Sequence, residues 1–91
     1  MSRKTVEERY QRLGTVLNKV ALEYQNARAK FSPFNSFHEG YAVLLEEVDE
    51  LWDEIKKKRS DRNIDDIHNE AIQIAAMAIA LILDEPEERK D

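Results

Sequence analysis

Apolar residues recur along the chain at alternating spacings of four and three, the pattern of an amphipathic α-helix. The first stripe contains Val6, Tyr10, Leu13, Leu17, Val20, Tyr24, Ala27 and Phe31. The second contains Phe37, Tyr41, Leu44, Val48, Leu51 and Ile55. The third contains Ile64, Ile67, Ala71, Ile74, Ala78 and Leu81. The pattern therefore predicts an all-α protein with three main helices.

Starting and stopping signals give these helices approximate bounds. Capping boxes, in which Ser or Thr precedes Glu by three residues, open the first two helices at Thr5 and Ser36. Pro33 ends the first helix and Pro86 follows the third, because proline cannot continue a helix. The predicted helices span residues 5–31, 36–59 and 63–84. No repeat or linker interrupts the chain, so we expect one domain over its whole length.

The third helix differs from the others because it is apolar nearly all round. From Ala71 to Leu83, 12 of 13 residues are apolar. A helix of this kind has neighbours on more than one side, and a chain of 91 residues offers only two other helices. We therefore expect an antiparallel helical bundle that is completed by oligomerisation, as a homodimer or homotetramer.

Composition narrows the expected partners and location. Lysine and arginine total 14 against 19 acidic residues, which argues against a nucleic-acid polymer, since that partner requires a basic face. The absence of cysteine excludes disulfides and a thiolate nucleophile. The apolar run of the third helix is shorter than the ~20 residues that cross a bilayer. The charged first residues do not resemble a signal peptide, so we expect a cytoplasmic protein without a membrane partner.

A polar stripe flanks the apolar one on both the second and the third helix. Its members are Glu47, Glu50 and Glu54 on the second helix and Asp66, Glu70 and Gln73 on the third. A short connection makes consecutive helices antiparallel neighbours. The two stripes are therefore expected to converge along one line, which we name the acidic seam.

Carboxylates that converge in this way repel one another. At ~4 Å each pair costs about 4 kcal/mol at an effective dielectric constant near 20. The arrangement is tolerable if the groups stay in water, hold protons or share a cation. Magnesium is the best candidate, since it binds through a few carboxylates together with substrate phosphates. The alternative is an ordinary solvated helix flank, which we expect for Glu46, Asp49 and Asp53.

Two short motifs on this seam resemble those of the MazG-like all-α nucleoside-triphosphate pyrophosphatases. That family has a Glu-x-x-Glu motif on one helix and a Glu-x-x-Asp motif on the next. This chain has Glu47-x-x-Glu50 and, after nineteen intervening residues, Glu70-x-x-Gln73. The segments HEGYAVLLEEVDELW and EAIQIAAMA are similar to compact single-domain members, and the resemblance covers residues 34–83.

The resemblance implies hydrolysis of a nucleoside or deoxynucleoside triphosphate to its monophosphate and pyrophosphate, with Mg²⁺, or alternatively Mn²⁺, as cofactor. It implies that Glu47, Glu50 and Glu70 are metal-binding and catalytic residues. Gln73 and Asp66 are secondary metal-ligand candidates. Gln73 departs from the family's aspartate and brings no charge. Two alternatives therefore stay open: a non-catalytic nucleotide- or metal-binding relative, and a structural protein of helical assemblies.

Three further side chains, Lys57, Trp52 and Phe34, are candidates for nucleotide contact. Lys57 belongs to a basic cluster at residues 56–59, which reaches triphosphate oxygens in one interpretation and is a solvated helix end in the other. Trp52 and Phe34 stack on a base in one interpretation and belong to the packed core in the other. The sequence does not decide between these interpretations.

Overall fold

A computed structural model describes residues 3–85, with side chains from Thr5 onward. Over this range the chain forms α-helices and one short 3-10 turn, and no strand. The helices are α1 (Arg3–Lys30), α2 (Phe37–Ile55) and α3 (Ile64–Leu83). The all-α prediction is confirmed.

Side-chain caps explain where α2 and α3 begin. Ser36 precedes α2 in extended conformation, and its hydroxyl accepts a hydrogen bond from the backbone N–H of Glu39 at 3.0 Å. The Glu39 carboxylate accepts from the backbone N–H of Asn35 at 2.7 Å. Asn63 caps α3 by accepting from the backbone N–H of Asp66 at 3.1 Å. These bonds satisfy amides that have no partner within the helix.

The observed helix ends differ from the predicted ones by a few residues. Since α1 begins at Arg3, Thr5 lies within its first turn instead of capping it. α2 ends at Ile55, earlier than predicted, where the side chain of Arg62 donates from Nε to the Ile55 carbonyl at 2.8 Å. Within the connection that follows, Arg59–Asp61 form a 3-10 turn, and α3 begins at Ile64. Pro86 lies outside the described residues.

α3 is the central helix of the fold. It packs against both α1 and α2, whereas α1 and α2 do not pack against each other. The buried apolar side chains of the described chain are Val20 on α1 and Ala76 and Ala80 on α3. Small side chains on α3 permit close approach of its neighbours. The prediction that the third helix has neighbours on more than one side is confirmed.

Much of the apolar surface of the other two helices is uncovered. On α1 the first four members of the predicted stripe are 40–72% exposed: Val6, Tyr10, Leu13 and Leu17. On α2 a second stripe is 42–62% exposed: Tyr41, Leu45, Val48 and Trp52. Contiguous exposed apolar surface of this kind marks an interaction site. A single copy of the chain therefore covers only part of its own apolar surface.

By length and composition, α3 also qualifies as a helix able to cross a membrane. The apolar run from Ala71 to Leu83 is too short to cross a bilayer, but the whole helix begins at Ile64 and has 20 residues. The central helix of a soluble bundle passes the same test, and α3 carries carboxylates at Asp65, Asp66 and Glu70. Its composition alone therefore does not place α3 in a membrane.

The two glycines of the chain occupy opposite environments, and together they test the packing of α2 on α3. Gly40 is buried, and a Cβ atom there would collide with Cδ1 of Leu81 and lie 3.1 Å from Cδ2 of Phe34. Gly14 is exposed on α1, and no described atom beyond its own helix turn lies within 4 Å of a Cβ placed there.

We predict that Gly14→Ala stabilises the protein by about 1 kcal/mol, because alanine has the higher helix propensity. Gly40→Ala should destabilise it relative to Gly14→Ala by about 1–3 kcal/mol, since overpacking offsets that gain. Urea unfolding followed by circular dichroism measures both free energies. Equal stabilisation by the two substitutions would contradict the close approach of α2 and α3 at Gly40.

Candidate functional site

Three of the predicted carboxylates meet where α2 faces α3. One oxygen from each of Glu47, Glu50 and Glu70 lies within 4.8 Å of the other two. Glu47 and Glu50 are neighbours along one face of α2, because residues three apart in a helix lie side by side. Glu70 comes from α3, so the cluster depends on how the two helices pack. We name these three residues the carboxylate cluster.

Two oxygens of the cluster are buried without a partner. Glu47 Oε2 and Glu70 Oε2 are inaccessible to solvent and have no hydrogen-bond donor among the described residues. A buried polar atom without a partner is unfavourable by about 1–3 kcal/mol, and more if it is charged. Carboxylate oxygens are the ligands that Mg²⁺ and other hard cations prefer. The residues present therefore fit a divalent cation.

The surroundings of these two glutamates favour the protonated form. Burial raises the pKa of Glu47 above its ordinary value of 4.5, and the charges of Glu50 and Glu70 raise it further. Burial likewise raises the pKa of Glu70, followed by the charges of Glu50 and Glu54 and by hydrogen bonding to Glu50. A group shifted in this direction is stabilised by gaining either a proton or a cation.

The two secondary ligand candidates have different surroundings. Gln73 is half-buried on α3 and lines the same cleft as Glu47. Asp66 is exposed in the first turn of α3 and is not a member of the carboxylate cluster. Its negative charge nevertheless contributes to the raised pKa of Glu70. Gln73 therefore lines the cleft beside the cluster, whereas Asp66 is exposed and lies outside the cluster.

Of the three predicted nucleotide-contacting residues, Phe34 lines the cleft described next, whereas Lys57 and Trp52 do not. Lys57 donates from Nζ to Oε1 of Glu54 at 2.8 Å, so its ammonium group lies at one end of the acidic seam. This bond and the charge of Glu54 raise the pKa of Lys57. Trp52 is 58% exposed on α2 and does not line the cleft described next.

A cleft of about 510 Å³ lies beside the carboxylate cluster. All three helices and the α1–α2 connection line it. From α1 and the connection come Glu23, Tyr24, Ala27, Arg28 and residues 31–35. From α2, α3 and the residue that follows α3 come Glu39, Val43, Glu47, Gln73, Met77, Ala80 and Asp84. Gln73 and Asp84 are eleven residues apart on or at the end of α3, which corresponds to about 16 Å. The cleft therefore has a carboxylate end beside Glu47 and an aromatic end beside Phe31 and Phe34.

An ion pair closes the aromatic end. Arg28 on α1 pairs with Asp84, whose side chain is only 3% exposed. Asp84 Oδ2 also accepts a hydrogen bond from the backbone N–H of Phe34 at 3.0 Å. The Arg28 guanidinium donates to the hydroxyl of Tyr24 at 3.1 Å and lies over its ring. These bonds hold the α1–α2 connection against the end of α3.

Sequence reasoning missed Glu23, Arg28 and Asp84. The predicted acidic seam lies between the second and third helices alone, whereas the cleft is also bounded by α1. Glu23 immediately precedes Tyr24 of the predicted apolar stripe, so its position at the edge of that stripe was visible in the sequence. Arg28 and Asp84 are 56 residues apart, and no local spacing links them.

Comparison of the chain with family models, with curated proteins and with solved structures found no match in any of the three. The interpretation of the site therefore depends on its geometry, its charges and the resemblance of its two motifs.

The raised pKa values predict how the stability of the metal-free protein depends on pH. The folded state holds protons on Glu47 and Glu70 more tightly than the unfolded state does. Their contribution to stability is therefore fully present below pH 4.5 and is lost as the pH rises through the raised values. With a chelator present at pH 7, the Glu47→Gln/Glu70→Gln variant should melt higher than the natural protein.

The difference in melting temperature should shrink as the pH falls towards 4.5, and thermal unfolding at a series of pH values measures it. The single variant Asp49→Asn is the control, because Asp49 is exposed and does not contribute to the raised pKa of either glutamate. A double variant that is less stable than the natural protein at pH 7 would show that the carboxylates do not repel one another.

Proposed function

We propose that this protein is a magnesium-dependent nucleoside- or deoxynucleoside-triphosphate pyrophosphohydrolase of the MazG-like kind. The observation that supports this function most strongly is the carboxylate cluster, with two buried oxygens that lack a donor. The adjoining cleft of about 510 Å³ supports it further, since small-molecule sites typically measure ~300–1,000 Å³. The Glu47-x-x-Glu50 and Glu70-x-x-Gln73 motifs agree with this assignment.

In this proposal Glu47 and Glu70 would hold the cation through their buried oxygens, and Gln73 could add a neutral amide oxygen. A divalent cation would offset the charge of the phosphates and lower the pKa of the attacking water. Glu50 is the exposed member of the cluster, so it is the residue best placed to accept the proton of that water. The water oxygen bonds to the α-phosphorus, the bond to the bridging oxygen breaks, and pyrophosphate leaves.

The two ends of the cleft suit the two ends of a nucleotide. The carboxylate end would receive the phosphates together with their cation. The aromatic end, with Tyr24, Phe31 and Phe34, would receive the base, because aromatic rings favour stacking contacts. Lys57, which is 44% exposed beside Glu54, remains a candidate for contact with phosphate oxygens, and Trp52 a candidate for contact with the base.

We further propose an antiparallel bundle completed by further copies of the chain, as a homodimer or homotetramer. Two contacts favour antiparallel packing of α2 on α3. Gly40, near the start of α2, approaches Leu81 near the end of α3. Further along α2, Glu50 approaches Glu70 in the first half of α3. The uncovered stripes of α1 and α2 favour assembly. The net charge of −5 favours a small-molecule substrate over a nucleic-acid polymer, and a cytoplasmic location suits that substrate.

Activity provides the direct test. Purified protein with Mg²⁺ should release pyrophosphate from at least one member of a panel of nucleoside triphosphates, and it should be inactive with a chelator. Glu50→Gln should lower the rate at least 100-fold, because it removes the proton acceptor. Asp49→Asn, an exposed change one residue away, should leave the rate within about twofold.

The outcomes separate the candidate functions. Binding of Mg²⁺ and nucleotide without pyrophosphate release would favour a non-catalytic relative. That is the second candidate function, because Gln73 is neutral where the resembled family has aspartate. If neither Mg²⁺ nor any triphosphate raises the melting temperature, both are excluded and the structural role remains. Full activity in Glu50→Gln would contradict the assigned proton acceptor.

The oligomer is tested by placing a charge on the uncovered stripe of α1. Sedimentation velocity at micromolar concentration should show a dimer or tetramer for the natural protein, and Leu13→Glu should dissociate it. Gln11→Glu adds the same charge at an exposed polar position of the same helix and should leave the assembly intact. A natural protein that sediments as a monomer would contradict the proposal.

A further inference from the structure

The two uncovered apolar stripes of α1 and α2 have the same spacing. The members are Val6, Tyr10, Leu13 and Leu17 on α1, and Tyr41, Leu45, Val48 and Trp52 on α2. Each stripe follows intervals of four, three and four residues and is about 16 Å long, since each residue advances a helix by ~1.5 Å. Stripes of this spacing form the line along which two helices pack side by side. In length and period, each stripe therefore fits the other.

The two helices carry opposite charge. α1 contains seven lysines and arginines against three glutamates, whereas α2 contains seven acidic residues and no lysine or arginine. Two copies of α2 packed together would place carboxylates beside carboxylates, with no lysine or arginine on either helix to balance them. Packing of α1 on α2 would bring the two signs together. The complementary charges therefore indicate that α1 is the partner of α2.

The charged residues lie on opposite sides of the two stripes. On α1, Arg9 directly precedes Tyr10, and Arg12 directly precedes Leu13. On α2, an acidic residue directly follows each of the last three members of the stripe; these residues are Glu46, Asp49 and Asp53. When two helices pack in parallel, the side that precedes the stripe on one helix meets the side that follows it on the other. Parallel packing therefore places the arginines of α1 beside the carboxylates of α2.

One copy of the chain does not make this contact within itself. α1 and α2 both pack against α3 and do not pack against each other. Arg9, Arg12 and Glu46 are exposed, and they form no ion pair with any described residue. Exposed ion pairs contribute little to stability, so the apolar stripes would hold two copies together. The charges would select the partner helix and its direction.

We propose that α1 of one copy packs in parallel against α2 of a second copy, stripe against stripe, with the arginines of α1 beside the carboxylates of α2. In this register Leu17 of one copy lies opposite Trp52 of the partner subunit. The inference rests on the assembly of copies proposed above, and it uses neither the cation nor the hydrolysis. It gives Trp52, which is exposed and does not line the cleft, a place in an interface.

Because the chain contains no cysteine, single introduced cysteines test the contact directly. The Leu17→Cys and Trp52→Cys variants, co-expressed and then oxidised, should form a mixed disulfide at least 10-fold faster than either variant alone, since a disulfide requires Cβ atoms about 4 Å apart. Mass spectrometry identifies the product. Thr15→Cys is the matched control, because Thr15 is exposed two residues before Leu17 and does not share its face. It should form no mixed disulfide with Trp52→Cys.

The direction of packing is tested by pairing Leu17→Cys with Tyr41→Cys. Tyr41 lies at the other end of the stripe of α2, eleven residues and about 16 Å from Trp52, so this pair should form no disulfide. A disulfide between these two positions would show antiparallel packing. Faster disulfide formation between two copies of Leu17→Cys, or of Trp52→Cys, would show that like stripes meet. Each of these results would overturn the inference.

The fluorescence of Trp52, the single tryptophan of the chain, gives a second test. Leu13→Glu on α1 should shift its emission to longer wavelength at micromolar concentration, because separation of the copies exposes Trp52 to water. Within one copy α1 does not pack against α2, so the shift would pass through a second copy. Glu8→Gln, at an exposed position of α1, should leave the emission unchanged. Unchanged emission in a Leu13→Glu variant that is helical and sediments as a monomer would contradict the pairing.

Neither measurement requires Mg²⁺ or a nucleotide, so both separate this inference from the proposed function. If the natural protein sediments as a monomer and no pair of variants forms a disulfide, the proposed assembly fails and the pairing of helices fails with it. If the protein assembles but its disulfides join other positions, the pairing of α1 with α2 is wrong while the assembly stands. Release of pyrophosphate decides the hydrolysis in either case.

Discussion

Mutual repulsion among carboxylates on adjacent helices is the constraint on which the rest of the site depends. Glu47, Glu50 and Glu70 bring their oxygens within 4.8 Å of one another, and two of these side chains have a buried oxygen without a donor. Packing of α2 on α3 imposes this proximity. Lys56 and Lys57, just after the end of α2, form ion pairs with other carboxylates, those of Asp53 and Glu54. In the proposed function, a divalent cation would offset this repulsion and would give the cluster a chemical use.

The same central helix that carries Glu70 also organises the core. α3 presents small buried residues, Ala76 and Ala80, to its neighbours and packs against both. Because α1 and α2 both pack against α3 and do not pack against each other, a cleft remains between them, with carboxylates at one end and aromatic rings at the other. The arrangement that leaves apolar stripes uncovered is thus also the arrangement that opens the cleft. Core formation and site formation are two results of one packing geometry.

Periodicity and motif spacing were sufficient for the parts of the structure that depend on local geometry. A spacing of three puts Glu47 and Glu50 side by side on any helix, and a short connection brings Glu70 to meet them. The position of α1 is a tertiary property, so the contributions of Glu23 and of the pair Arg28–Asp84 were not predicted. Chain periodicity indicates which face of a helix is apolar, but it does not specify which neighbour covers that face.

The most direct test of the central claim is a crystal structure of the metal-free protein soaked with Mn²⁺, examined by anomalous scattering. The account predicts one or more Mn²⁺ ions in contact with carboxylate oxygens of Glu47 and Glu70, beside Glu50 and the open cleft. Carboxylates that point apart into solvent, with no ion between α2 and α3 at millimolar Mn²⁺, would contradict it.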